Sequence, residues 1–201
     1  MNEHIAISAA PGATQAAEGM PRRRWSVAEI EDMVRAGIIA ENERFEMIGG
    51  EVVPMSPKGA RHEWVKGELN QFFQLARPQH LSIYQETTLR LDEFAFMEPD
   101  FCVFRRGLDL KSLTGSEVLL AVEVADSSLA YDLGRKIGVY ATYGVREVWV
   151  IDAKTLVTRV HRRPGAQGYA QIVNVPRSRR LVPELAPELA LRLADIGIEP
   201  A

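Results

Sequence analysis

Asp100, Glu123 and Lys136 are residue types that, once brought together, can hydrolyse a phosphate ester. Glu123 sits in "LLAVEVADSS", where Val118 to Val122 are apolar and Val124 follows the acid, so both faces of that strand are expected in the interior. An ionised carboxylate there costs several kcal/mol unless a cation or donors meet it. Asp100 follows Pro99 at the head of another expected strand. Neighbouring strands lie about 4.8 Å apart, so two carboxylates on facing positions can share one ion. Magnesium or manganese suits such a pair, because Mg²⁺ takes oxygen ligands and keeps several waters, needing one or two protein carboxylates. The backbone carbonyl of Val124 is a candidate third oxygen. On the helix expected next, Asp132, Lys136 and Tyr140 recur every four residues and form one stripe beside Leu133, Ile137 and Ala141. A lysine on that stripe can hold an attacking water or offset charge on a phosphorane-like transition state.

The elements that must position these groups follow from the pattern around them. Ser26 and Glu29 form a capping box at the start of a short helix that Gly37 stops. "RFEMIGGEVVPM" reads as a tight hairpin turning at Gly49 and Gly50, with Glu46 on its first arm. "GARHEWVKGELNQFFQLA" repeats apolar residues at helical spacing and ends before Pro78. "LSIYQETTLRL" alternates as one strand and "PDFCVFR" begins another. "LLAVEV", a helix over "LAYDLGRKIGVYATYG" and the strand "REVWVID" imply a right-handed crossover, hence two parallel strands. "TLVTRVHRR" and "YAQIVNV" form an antiparallel hairpin at the sheet edge. In the tail, Pro183 and Pro187 restrict any helix to the last apolar turns.

Of the 201 residues, 46% are hydrophobic and 25% charged, which suits one globular domain over residues 21–201 behind a flexible tail over residues 1–20. A net charge of −3 excludes coating nucleic acid by bulk electrostatics and leaves any anionic partner to be met locally. Cys102 is the single cysteine, so no intrachain disulfide or thiolate zinc site forms, and a cytoplasmic location is expected. No secretory signal or membrane span is apparent. Ser127 and Ser128 read as helix caps, because no histidine lies nearby in sequence to activate either.

"EPDFCVF", "LLAVEVADSSLAYDLGRKIGVYATYGVREVWVID" and "RFEMIGGEVVPMSPKGARHEWV" resemble the Uma family of restriction-endonuclease-like proteins, a branch of the PD-(D/E)XK nuclease superfamily. The similarity runs from about Ser26 to Val175. It implies an α/β fold with a mixed β-sheet flanked by helices and an additional β-hairpin, metal-dependent cleavage of DNA, and a homodimer. By position, Asp100 matches the motif aspartate and Glu123 the motif glutamate. Glu46 matches the acid before the first hairpin turn, and His62 the histidine opening the next helix. The superfamily's usual lysine, two residues after the glutamate, is replaced here by Ala125. Asp132, Lys136 and Tyr140 match the Uma pattern in which a helix lysine takes its place. Ala125 also keeps a second reading open, a catalytically inactive nuclease-fold module that binds nucleic acid or protein.

Overall fold

The computed structural model describes residues 23–201; the tail expected over residues 1–20 lies outside them. Helix α1 (Val27–Arg35) starts at Ser26, whose Oγ accepts from the Glu29 N–H at 3.2 Å while the Ser26 N–H donates to Glu29 Oε2 at 2.8 Å. It ends just before Gly37, which takes the left-handed φ of 71° expected of a stop. Strands β1 (Phe45–Ile48) and β2 (Glu51–Pro54) form the hairpin, and α2 (Ala60–Ala76) is the long helix.

Strands β3 (Leu81–Gln85) and β4 (Leu89–Asp92) replace the single strand expected over "LSIYQETTLRL". They belong to different sheets. The break falls at Glu86, whose φ of 49° turns the chain without the glycine or proline that would have announced it. Short β5 (Ala95–Met97) then pairs with β4 and with β1, giving a four-stranded sheet in the order β2-β1-β5-β4. Helix α1 closes this sheet by packing Val27 and Ile30 on Phe45, Met47 and Phe96.

The larger sheet contains β3, β6 (Phe101–Arg105), β7 (Val118–Ala125), β8 (Glu147–Asp152), β9 (Thr158–Gly165) and β10 (Gly168–Val175). Its order is β10-β9-β8-β7-β6-β3, and β7 with β8 is the parallel pair that the crossover implied. The β9–β10 hairpin lies at its edge. Val122 and Val124 of β7 join the core beneath α2, with Val65, Leu69 and Phe73. Ala121 and Ala125 point the other way, toward Ile137, Tyr140 and Ala141. Period-two alternation therefore puts Glu123 on the second face, the side covered by the crossover helix.

That helix is not regular. Leu129–Tyr131 (α3) and Ile137–Thr142 (α4) flank a π-helical turn over Asp132–Lys136. The C-terminal helix expected after Pro187 does not form either. Two 3₁₀ turns, Pro187–Leu189 and Leu193–Asp195, stand in its place. There Leu189, Leu191, Leu193 and Ile198 all reach the α2-side core, and a bridge pairs Leu181 with Leu191. Burial of closely spaced leucines at irregular turns outweighs helical propensity. No helix among the described residues is long and apolar enough to cross a membrane.

Candidate active site

Phe101 of β6 faces Val122 of β7, so one further step of the same antiparallel register brings Asp100 opposite Glu123. The Val124 N–H donates to Asp100 Oδ2 at 2.8 Å and ties the two strand ends together. Val124, considered for its carbonyl, thus contributes its N–H to the aspartate. His62, at the start of α2, places Nε2 3.1 Å from the same oxygen. Lys58, in the loop between β2 and α2, donates to Asp100 Oδ1 at 3.1 Å. Burial alone would raise the Asp100 pKa, but the His62 hydrogen bond, the neighbouring charges of His62 and Lys58, and the Val124 N–H hold it well below the usual range.

Glu123 answers to the crossover helix. Tyr140 Oη donates to its Oε1 at 2.6 Å, and Lys136 Nζ lies 3.0 Å from the same atom. Lys136 also sits 3.0 Å from Glu46 Oε1 and 3.8 Å from Asp132 Oδ1. Glu46 on β1 further accepts from the Glu98 N–H at 3.1 Å and from Tyr131 Oη at 3.1 Å. Asp132 Oδ2 accepts from Ser128 Oγ at 2.5 Å, so Ser128 braces an acid. The structure brings Glu46, His62, Asp100, Glu123, Val124, Asp132 and Lys136 around one cavity of about 340 Å³. It lies where the two sheets meet, Glu46 coming from the smaller sheet and Glu123 from the larger.

The electrostatics are lopsided. Glu46, Glu123 and Asp132 share the single ammonium of Lys136, and these four residues are at most 4% exposed. Burial raises the Glu123 pKa to about 8 against the pull of Lys136, with Asp132, Asp100 and Glu46 pushing the same way as burial. Asp132 is raised for the same first reason. Burial would lower the Lys136 pKa, yet Glu123, Glu46 and Asp132 outweigh it and the ammonium is held well above its ordinary value.

This surplus of carboxylate is the basis for testing a metal. Among the described residues no group of three or more His, Cys, Asp or Glu is arranged to hold an ion by itself. Mg²⁺ asks for less, completing its shell with water and substrate oxygen. Asp100 and Glu123 supply two facing carboxylates, and the contacts to Glu123 from Tyr140 and Lys136 both fall on its Oε1. A divalent cation would offset the charge that one ammonium leaves uncompensated. The donor set therefore fits a hard, oxygen-seeking ion.

Sequence reasoning missed Lys58, Tyr131 and Glu86. Lys58 stands four residues before His62, and no spacing rule shows that its loop folds over Asp100. Tyr131 reaches an acid 85 positions away. Tyr140, which the sequence reads as core, is fully buried and is also the donor to Glu123.

A mixed sheet flanked by helices, with acids gathered at the edge of its central strands, defines a restriction-endonuclease-like fold. A solved structure from Anabaena variabilis ATCC 29413, described as a putative nuclease belonging to DUF820, shares it with a TM-score of 0.67 at 16% identity, over 85% of this chain and 96% of that one. The type IIG restriction endonuclease BpuSI aligns at a TM-score of 0.41 and 14% identity, over 71% of this chain and 17% of its own. The chain belongs to the Uma2 family, described as "Putative restriction endonuclease", whose model matches residues 28–194. A comparison with curated protein sequences returns no match.

Proposed function

We propose that this protein is a divalent-metal-dependent endonuclease that hydrolyses phosphodiester bonds of DNA. The observation that carries the reading is the convergence of Asp100, Glu123 and Glu46 with Lys136 at one cavity, with carboxylates in excess of the cation among them. Asp100 and Glu123, with the Val124 carbonyl, would hold Mg²⁺ or Mn²⁺, which as a Lewis acid polarises a phosphoryl oxygen and lowers the pKa of a bound water. The chain's own residues prepare that place. The Val124 N–H and His62 fix Asp100, while Tyr140 fixes Glu123. Lys136 gathers Glu46 and Glu123 to one point and prevents their mutual repulsion from opening the site.

The enclosure of Lys136 by three carboxylates favours a second reading, in which the fold is kept without chemistry and the chain binds nucleic acid or protein. One experiment separates the two. Single-stranded, duplex and branched DNA are incubated with Mg²⁺ or Mn²⁺ and either wild type or Glu123→Gln. Cleavage that needs both the ion and the glutamate is expected; DNA left intact under every condition would overturn the nuclease reading, and retention of the intact DNA by the protein would favour the binding module. Cutting both strands takes two such sites, so a homodimer is proposed, to be checked by sedimentation velocity.

A further inference from the structure

We propose that Lys58, rather than Lys136, is the ammonium that touches the substrate, donating to a non-bridging oxygen of the scissile phosphodiester. This rests on the nuclease reading and names a further residue for that reaction.

The argument is a count of donors. A lysine ammonium has three N–H groups. Those of Lys136 have three carboxylates to meet, at 3.0, 3.0 and 3.8 Å, and the residue is 4% exposed. Two of them are taken at 3.0 Å and the third is drawn toward Asp132 inside the acid cluster, so the ammonium of Lys136 faces carboxylates and is less open to a phosphate than that of Lys58. Lys58 spends one N–H on Asp100 Oδ1 and one on Glu86 Oε1. Its third has no partner among the described residues, and its side chain is 15% exposed. Lys58 lines the site cavity and also the neighbouring groove, which it shares with Arg44, Lys66 and Glu86.

Lys58 is also held in place. Glu86 accepts from both Lys58 and Lys66, the latter at 2.5 Å, and Arg44 approaches it at 3.6 Å. Burial acts to raise the Glu86 pKa, but the lysine hydrogen bonds bring it down to about 2, so it is an anion at any working pH. Its backbone takes the left-handed φ of 49°, which side chains rarely adopt and which persists only where the surroundings over-determine it. Here the Glu86 N–H also donates to the Asp100 carbonyl at 3.4 Å. Glu86 is thus a positioning residue that fixes Lys58 beside a metal-holding acid with a donor to spare. Lys66 is the natural control, because its partners are Glu63 and Glu86 and it lines only the groove.

The test measures both binding and cleavage, so that the two readings fail separately. Affinity for a short DNA duplex is measured by fluorescence anisotropy in Ca²⁺ across a salt series, and single-turnover cleavage in Mg²⁺, for wild type, Lys58→Met, Lys58→Arg and Lys66→Met. Lys58→Met is expected to weaken binding on the order of tenfold and to flatten the salt slope by about one. Its cleavage rate should fall on the order of 10²–10³-fold. Lys66→Met removes the same charge but keeps the Lys58 contact to Asp100, so it should weaken binding by less than Lys58→Met does, and Lys58→Arg should recover part of the lost affinity. Equal losses from Lys58→Met and Lys66→Met, or no loss from Lys58→Met in a wild type that cleaves, would overturn the role of Lys58 and leave the nuclease reading standing. Wild type that binds without cleaving, with Lys58→Met impaired, keeps the contact and removes the enzyme; wild type that does neither removes both.

Discussion

Tyr140 Oη donates to Glu123 Oε1 across 2.6 Å, joining a fully buried phenol on the crossover helix to the acid on the central strand. This α4 residue and Lys136, 3.0 Å from the same oxygen, together orient the carboxylate on which the proposed chemistry turns.

Tyr140→Phe keeps the ring and removes the donor. Leaving a buried carboxylate short of a hydrogen bond costs about 1–3 kcal/mol, read as a lower melting temperature. The lost bond favoured the ionised form, so the Glu123 pKa should move further upward and the pH at which metal-dependent cleavage appears should rise with it. A lowered melting temperature with an unmoved pH profile would mean that the bond only supports the fold.

Stability should fall as pH rises toward 8. The folded-state pKa of Glu123 is raised from 4.5 to about 8, so between those values the folded chain holds more protons than the unfolded one, and linkage makes stability decrease with pH. His161 acts oppositely below 6.5, where its lowered folded pKa of about 4 makes stability increase with pH. The Glu123 effect is therefore read between pH 6.5 and 8 by urea denaturation. Glu123→Gln should flatten this limb, and Mg²⁺, which on the proposed function is held by the ionised carboxylate, should reduce its slope in wild type. An identical decline in Glu123→Gln would assign it to another group.

His161→Leu should stabilise the protein. The residue is 2% exposed on β9, and neither ring nitrogen has a hydrogen-bond partner among the described residues. Its burial and the Arg159 charge lower its pKa to about 4. Replacing an unsatisfied polar ring by an apolar side chain removes a desolvation cost of about 1–3 kcal/mol. Thermal melts at pH 7 should show the gain, and the acid limb should become shallower. A lower melting temperature would show instead that packing on Tyr169, 5.7 Å away between ring centroids, outweighs that cost.

The two turn glycines of the hairpin that carries Glu46 should respond unequally. Both have left-handed backbone, φ 62° at Gly49 and 86° at Gly50, so alanine is strained at either by about 1–2 kcal/mol. At Gly50 an added Cβ would also meet Arg24 Cβ at 2.7 Å, whereas at Gly49 it meets nothing within 4 Å. Chemical denaturation should rank Gly50→Ala as the more damaging. Equal costs would mean that the segment at Arg24 yields to the added methyl.

Much of this arrangement could be read from short-range pattern. The Ser26–Glu29 box, the Gly49–Gly50 hairpin, the apolar run into Glu123 and the parallel crossover are local or nearly local, governed by capping, backbone freedom and periodicity. The errors share one cause. Glu86 turns the chain between two sheets without a turn residue, Asp132–Lys136 departs from a regular helix, and the C-terminal leucines pack as 3₁₀ turns. In each case distant contacts overrode local preference.

The same division holds at the site. Residue types and order alone determined that an acid would be buried on a central strand, that a second acid would head its neighbour, and that a helix lysine would follow. What stands around each group was decided in three dimensions. Lys136 acquired three carboxylates from β1, β7 and its own turn, and Lys58 came to rest on Asp100 from a loop 42 residues earlier. Coulomb attraction and desolvation depend on separation in space, and distance along the chain fixes that separation only within an element.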